Sequence, residues 1–114
     1  MRKSFKRIEH EAIMLLGRHG YKLNTKLKDI ENTDTKIYTK GLLDGCVISI
    51  HRGDVSSITL SFSENYIQMT YSALIVLTFN TEGNIEKIFV DHTDSHRYSA
   101  IFKELETILQ KVGG

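Results

Sequence analysis

Phe5, Ile8, Ala12, Leu15 and Leu16 recur at helical spacing, and the pattern stops at Gly20, where a left-handed cap closes a helix. The period then changes from 3.6 to 2. In "YKLNTKLK", Tyr21, Leu23, Thr25 and Leu27 alternate with Lys22, Asn24, Lys26 and Lys28, which predicts a strand with one wet face. A polar segment from Asp29 to Thr35 reads as a loop before a short strand around Lys36 to Leu42. Asp44-Gly45, between two β-prone runs, predicts a tight hairpin turn with positive φ. Cys46, Ile48 and Ile50 then alternate with Val47, Ser49 and His51, and Ile58, Leu60 and Phe62 alternate with Ser57, Thr59 and Ser61. The chain must reverse between these strands, so Arg52-Gly53-Asp54, a tripeptide with a cell-adhesion sense in extracellular proteins, reads here as a turn.

The dominant strand is "IQMTYSALIVLTFN", with Ile67, Met69, Tyr71, Ala73, Ile75, Leu77 and Phe79 on one parity and a bulge expected near Tyr71-Ser72 because of its length. "TEGN" turns into a last strand, "IEKIFVD". A second helix follows, capped by Thr93 or Asp94, with Tyr98, Ile101, Phe102, Leu105, Ile108, Leu109 and Val112 as its apolar stripe. The expected fold is α+β in one domain, residues 1–114: an antiparallel β-meander of about five to six strands with an N-terminal and a C-terminal helix packed on one face. Parity places Ile58, Leu60, Ile67, Met69 and Ile75 inside, and Ser57, Thr59 and Gln68 outward on adjacent strands.

Composition narrows the function classes. The 114 residues are 40% hydrophobic and 25% charged, as in globular domains, and 15 Lys+Arg against 14 Asp+Glu leave a net charge of +1. No whole-molecule attraction to nucleic acid or anionic membrane follows from that balance. The basic residues Arg2, Lys3, Lys6, Arg7, Lys22, Lys26 and Lys28 have little aromatic interleaving and read as a solvated face. Cys46 is the only cysteine, the apolar run Ala12 to Leu16 is too short for an export signal, and no stretch reaches a membrane span. The expected compartment is the cytoplasm.

Chemical motifs are few. Asp91, His92, Asp94 and His96 offer metal-ligand chemistry within one short stretch, but their spacing matches no established zinc signature, and a polar strand-to-helix loop with Asp at the positive end of the helix dipole is the favoured reading. Cys46 and His51 fall on opposite faces of one strand and form no dyad; parity puts Cys46 in the core. His10 lacks the second histidine one turn later that a zinc protease helix needs, and no glycine-rich phosphate loop opens a helix. No cofactor is implied.

The outward parity is more informative. Val47, Ser49, His51, Ser57, Thr59, Ser61, Gln68, Thr70, Ser72, Leu74, Val76 and Thr78 include no Lys, Arg, Asp or Glu. Charge depletion marks the buried centre of interfaces, whereas a face made for water mixes charges in. An up-and-down meander also gathers Asp29, Glu31, Asp34, Asp54 and Glu82 on one rim, which suits the steering of a basic partner. The sequence thus leads to a small non-enzymatic cytoplasmic binding protein of the inhibitor, immunity or antitoxin kind that blocks a basic partner such as a nuclease. Its contact residues are Glu31, Asp34, Asp54 and Glu82 on the rim and Ser57, Thr59, Gln68, Thr70, Leu74 and Val76 on the face, through which a homodimer is also conceivable. The alternative is a metal-dependent hydrolase using Asp91, His92, Asp94 and His96.

Overall fold

The first helix, α1 (Lys3–Arg18), buries Phe5, Ile8, Ala12, Leu15 and Leu16 along one stripe. It closes as the sequence predicts. Gly20 takes φ +89°, its N–H reaches the Gly17 carbonyl (3.1 Å), and the Tyr21 N–H reaches back to the Leu16 carbonyl (2.9 Å). This paired bonding is a Schellman cap, and the flanking Tyr21 and Leu16 are both buried, as its hydrophobic contact requires. The computed structural model describes residues 3–25, 34–68, 72–92 and 95–113.

The strands are β1 (Lys22–Leu23), β2 (Thr35–Lys40), β3 (Asp44–His51), β4 (Ser56–Ser63), β5 (Ala73–Phe79) and β6 (Ile85–His92), and α2 (Ser95–Gly113) follows them. They form one antiparallel sheet in the order β1-β2-β3-β4-β5-β6, each strand beside its sequence neighbour. Both helices lie on one face: Phe5 of α1 meets Phe79 edge-on at 4.9 Å, and Tyr98 of α2 meets Phe62 at 5.2 Å. Under them Cys46, Ile48, Ile58, Leu60, Phe62, Ala73, Ile75, Leu77 and Phe79 are buried together. The α+β meander with two helices on one side is therefore as expected. No helix among the described residues is long and apolar enough to cross a membrane.

Several local expectations are corrected. The first strand is two residues long; Leu23 sits opposite the buried Tyr38 yet is 48% exposed, because the sheet ends there and the core does not extend over it. Leu27, Lys28, Asp29 and Glu31 lie outside the described residues. The hairpin turn is Gly41–Leu43, with Gly41 at φ +68°, and Asp44 and Gly45 already pair with Lys40 and Thr39. Gly45 serves another purpose: a Cβ there would stand 2.8 Å from the Tyr66 Cβ, so glycine permits close approach.

The long fifth strand is also shorter than its periodicity suggests. Tyr66–Gln68 forms one 3-10 turn, and β5 begins at Ala73. Ser63 Oγ accepts the Asn65 N–H and Asn65 Oδ1 accepts the Ile67 N–H, both at 3.1 Å, so polar side chains draw the backbone out of the ladder. Ile67 is consequently 66% exposed rather than buried, and Gln68 is exposed on that turn rather than on a strand. Met69, Thr70 and Tyr71 lie outside the described residues. Finally, β5 carries an irregularity at Thr78/Phe79, where Glu86 is the extra residue opposite, while the bulge expected near Tyr71-Ser72 falls at the border of the described residues. The Asn80–Asn84 turn beside it has Gly83 at φ +86° and Asn80 Oδ1 accepting from the Glu82 and Asn84 N–H groups.

Candidate binding surface

Alternation delivers a second face of the sheet, away from the helices. The register aligns Thr35, Ser49, Thr59, Val76 and Phe89 in one row across β2 to β6, and Ile37, Val47, Ser61, Leu74 and Asp91 in the next. A third row holds His51, Ser57, Thr78 and Lys87. Ser57, Thr59, Leu74 and Val76, read from the sequence as contact residues, are brought together here as half-buried cross-strand neighbours. Thr59 and Val76, both β-branched and directly opposite on adjacent strands, are placed to shelter one another. Among the described residues, β3, β4 and β5 place no charged side chain in these rows; Lys87 and Asp91 stand at the β6 border.

The face extends further than the sequence revealed. Ile37 on β2 and Phe89 on β6 add apolar surface to its two sides. In "TKIYTK" both parities carry an apolar residue, Ile37 on one and Tyr38 on the other, and only the register shows that Tyr38 is the buried one. The face is also closed at one corner, where Gly45 and Ser63 are buried and Tyr66 packs against the Gly45 backbone.

The rim is less acidic than its sequence. Asp34, Asp54 and Glu82 do gather at one end, but Arg52 lies among them, 3.3 Å from Asp34 and 3.7 Å from Glu9, with its guanidinium 5.5 Å above the Phe5 ring. Arg52 thereby ties the β3–β4 turn to α1 and to the start of β2. A shallow cleft of about 250 Å³ opens there, lined in part by Phe5, Lys6, Arg52 and Asp54. Asp54 and Glu82 remain exposed. Gly53 is outside the left-handed region, so the turn makes no demand on it through φ.

The other candidate chemistries fare differently. Cys46 is fully buried, desolvation pushes its thiol well above the ordinary range, and His51 is exposed on the opposite face. A thiol held protonated in this way is inert as a nucleophile. Burial, with smaller contributions from Cys46 and Glu9, also raises the Tyr38 hydroxyl. Of the metal-ligand stretch, Asp91 is exposed on the uncovered face opposite Leu74; Asp94 and the side chains of His92 and His96 lie outside the described residues. Among the described residues no three His, Cys, Asp or Glu converge on a metal-sized site. Lys6 and Arg7 stand near the start of α1 and Lys22 follows its far end, past about 17 Å of helix at 1.5 Å per residue. No family model, curated protein or solved structure matches this chain.

Proposed function

We infer that this chain is a protein-binding module whose contact surface is the uncovered face of the sheet. The observation that supports the reading is the absence of charge across β3, β4 and β5 on a face where Thr59, Val76, Ser61 and Leu74 stand directly side by side. Serine and threonine supply hydrogen-bonding groups at low conformational cost, and Val76, Leu74, Ile37 and Phe89 supply apolar area. At strand spacings of about 4.8 Å and roughly 6.7 Å between alternate residues, the three rows project about 500 Å². A stable interface takes about 800 Å² from each partner, so the rim must contribute.

That shortfall gives the rim its place in the proposal. Asp54 and Glu82 flank the face, and as exposed carboxylates they suit a basic partner, which favours an inhibitor, immunity or antitoxin-like role. Asp34, engaged by Arg52, contributes less to that field than its sequence suggests. The test is site-specific photocrosslinking in the native host from position 59, followed by binding measurements on the purified partner. Val76→Lys is expected to weaken binding at least tenfold, Lys103→Glu on α2 to leave it unchanged, and Asp54→Lys with Glu82→Lys to slow association at low salt. Binding indifferent to Val76→Lys would exclude the face.

A further inference from the structure

The two edges of the sheet end differently. β1 is two residues long and carries Lys22, the short charged edge that discourages pairing with other chains. β6 runs eight residues, Ile85–His92, and within the sheet it pairs with β5 alone. At its middle Ile88, Phe89 and Val90 are 47%, 48% and 48% exposed. Phe89 lies on the uncovered side opposite Val76, while Ile88 and Val90 lie on the helix side opposite Leu77 and Ile75. There they line a groove of about 290 Å³ together with Ile75, Phe102, Leu105 and Leu109, apolar except for Glu106. A long edge that is apolar on both sides is a template for another strand.

The charges on β6 state which strand fits. Lys87-Ile88-Phe89-Val90-Asp91 begins with a cation, ends with an anion and is apolar between. Reversed about Phe89, the segment is its own complement. In an antiparallel pair with a second copy, a two-fold axis at Phe89 sets Lys87 opposite the second copy's Asp91, and Asp91 opposite its Lys87. Both ion pairs flank a contact between the two Phe89 rings on the uncovered side, and Ile88 meets the second copy's Val90 on the other. Centring the axis on Ile88 instead sets Lys87 against Phe89 and Glu86 against Val90. Parallel pairing in register sets like charges side by side, which costs energy.

We propose that the chain forms a homodimer by antiparallel β6–β6 pairing centred on Phe89, joining two sheets edge to edge. The two-fold axis stands perpendicular to the sheet, so both uncovered faces point the same way and adjoin across the seam. The inference rests on the β6 edge and does not require the binding role assigned to the face, with which it shares the border residues Lys87, Phe89 and Asp91.

Sedimentation equilibrium on the purified chain tests it, with wild type, Lys87→Asp, Asp91→Lys and the double exchange compared. The wild type should be a dimer. Either single reversal creates two like-charge contacts across the seam and should weaken the dimer about tenfold or more, while the double exchange restores affinity to within about threefold of wild type. Circular dichroism establishes that each variant is folded, and amide exchange across residues 85–92 should slow as wild-type concentration rises. A wild type that stays monomeric near millimolar concentration overturns the proposal. So does a dimer that ignores the single reversals, or one that the double exchange fails to restore. A dimer broken by Val76→Lys and untouched by Lys87→Asp would assign self-association to the sheet face instead.

Discussion

The covered and uncovered faces of the sheet are drawn from the same strands, residue alternating with residue, and they differ in what constrains each position. Beneath the helices Ile58, Leu60, Phe62, Ile75, Leu77 and Phe79 fill one volume with Phe5, Ile8 and Tyr98, so shape decides what is tolerated. On the other side Thr59, Ser61, Leu74 and Val76 are half-buried cross-strand neighbours on the face away from both helices, and shape is loosely constrained. Where stability does not demand a composition, its regularity calls for another explanation. The uncharged stretch that β3, β4 and β5 present on the uncovered face is such a regularity.

Leu60 and Thr59 offer the sharpest way to break this comparison, because they are consecutive on β4 and point to opposite faces. Leu60→Ala should cost about 2–5 kcal/mol in urea unfolding through the cavity it leaves, while Thr59→Ala should stay within about 0.5 kcal/mol. Equal losses would mean that the uncovered face is itself a stability element. A smaller effect tests the closed corner. Gly45→Ala places a Cβ 2.8 Å from the Tyr66 Cβ and should cost about 1–3 kcal/mol, by the overpacking expected of a core site. Most of that loss should vanish in a Tyr66→Gly background, which removes the Cβ that the new methyl meets, as read by the same denaturant titration.

The smallest expected effect lies on the outside of the helix layer. Arg18 Nη2 donates to Glu104 Oε2 at 2.7 Å, and this bond is the main cause holding the Glu104 carboxyl below its ordinary value of 4.5. A group whose pKa is lowered by folding stabilises the fold above its unfolded value and loses that contribution as pH falls through the folded value. The difference in Tm between the chain and Glu104→Gln should therefore be constant near neutral pH and shrink below about pH 4.5. Salt should reduce it near neutral pH, where the carboxylate is ionised and the pair is exposed.

The architecture was legible in the sequence wherever one periodicity ran without competition. Cys46 to Ile50, Ile58 to Phe62 and Ala73 to Phe79 alternate cleanly, and both helices carry an apolar stripe, so the covered face and the heart of the uncovered one follow directly. It was illegible where local hydrogen bonds overrule pattern. Ile67 continues the parity of β5, yet Ser63 and Asn65 capture the backbone before it. Asp44-Gly45 has the chemistry of a turn, but Gly41 makes the turn and Gly45 receives Tyr66. Arg52 belongs to a tripeptide suggestive of display, and its actual partners, Glu9, Asp34 and Phe5, are distant in sequence. Such pairings are tertiary facts that no local window contains.

The neighbour-only order of the strands has a consequence for how the molecule assembles. Each ladder closes a connection of at most eleven residues: three join β2 to β3, four join β3 to β4, five join β5 to β6, nine join β4 to β5, and eleven join β1 to β2. Loop closure is entropically cheap at such lengths, so the sheet can grow by successive hairpins with no crossover to wait for. The helices impose the opposite requirement, because the Arg18–Glu104 contact spans 86 positions and unites segments on either side of the whole meander. Assembly is thus local within one layer and global in the other. The layer that shields the apolar side of the sheet is completed only when α2 docks, which leaves that side wetted through the earlier steps of the folding route.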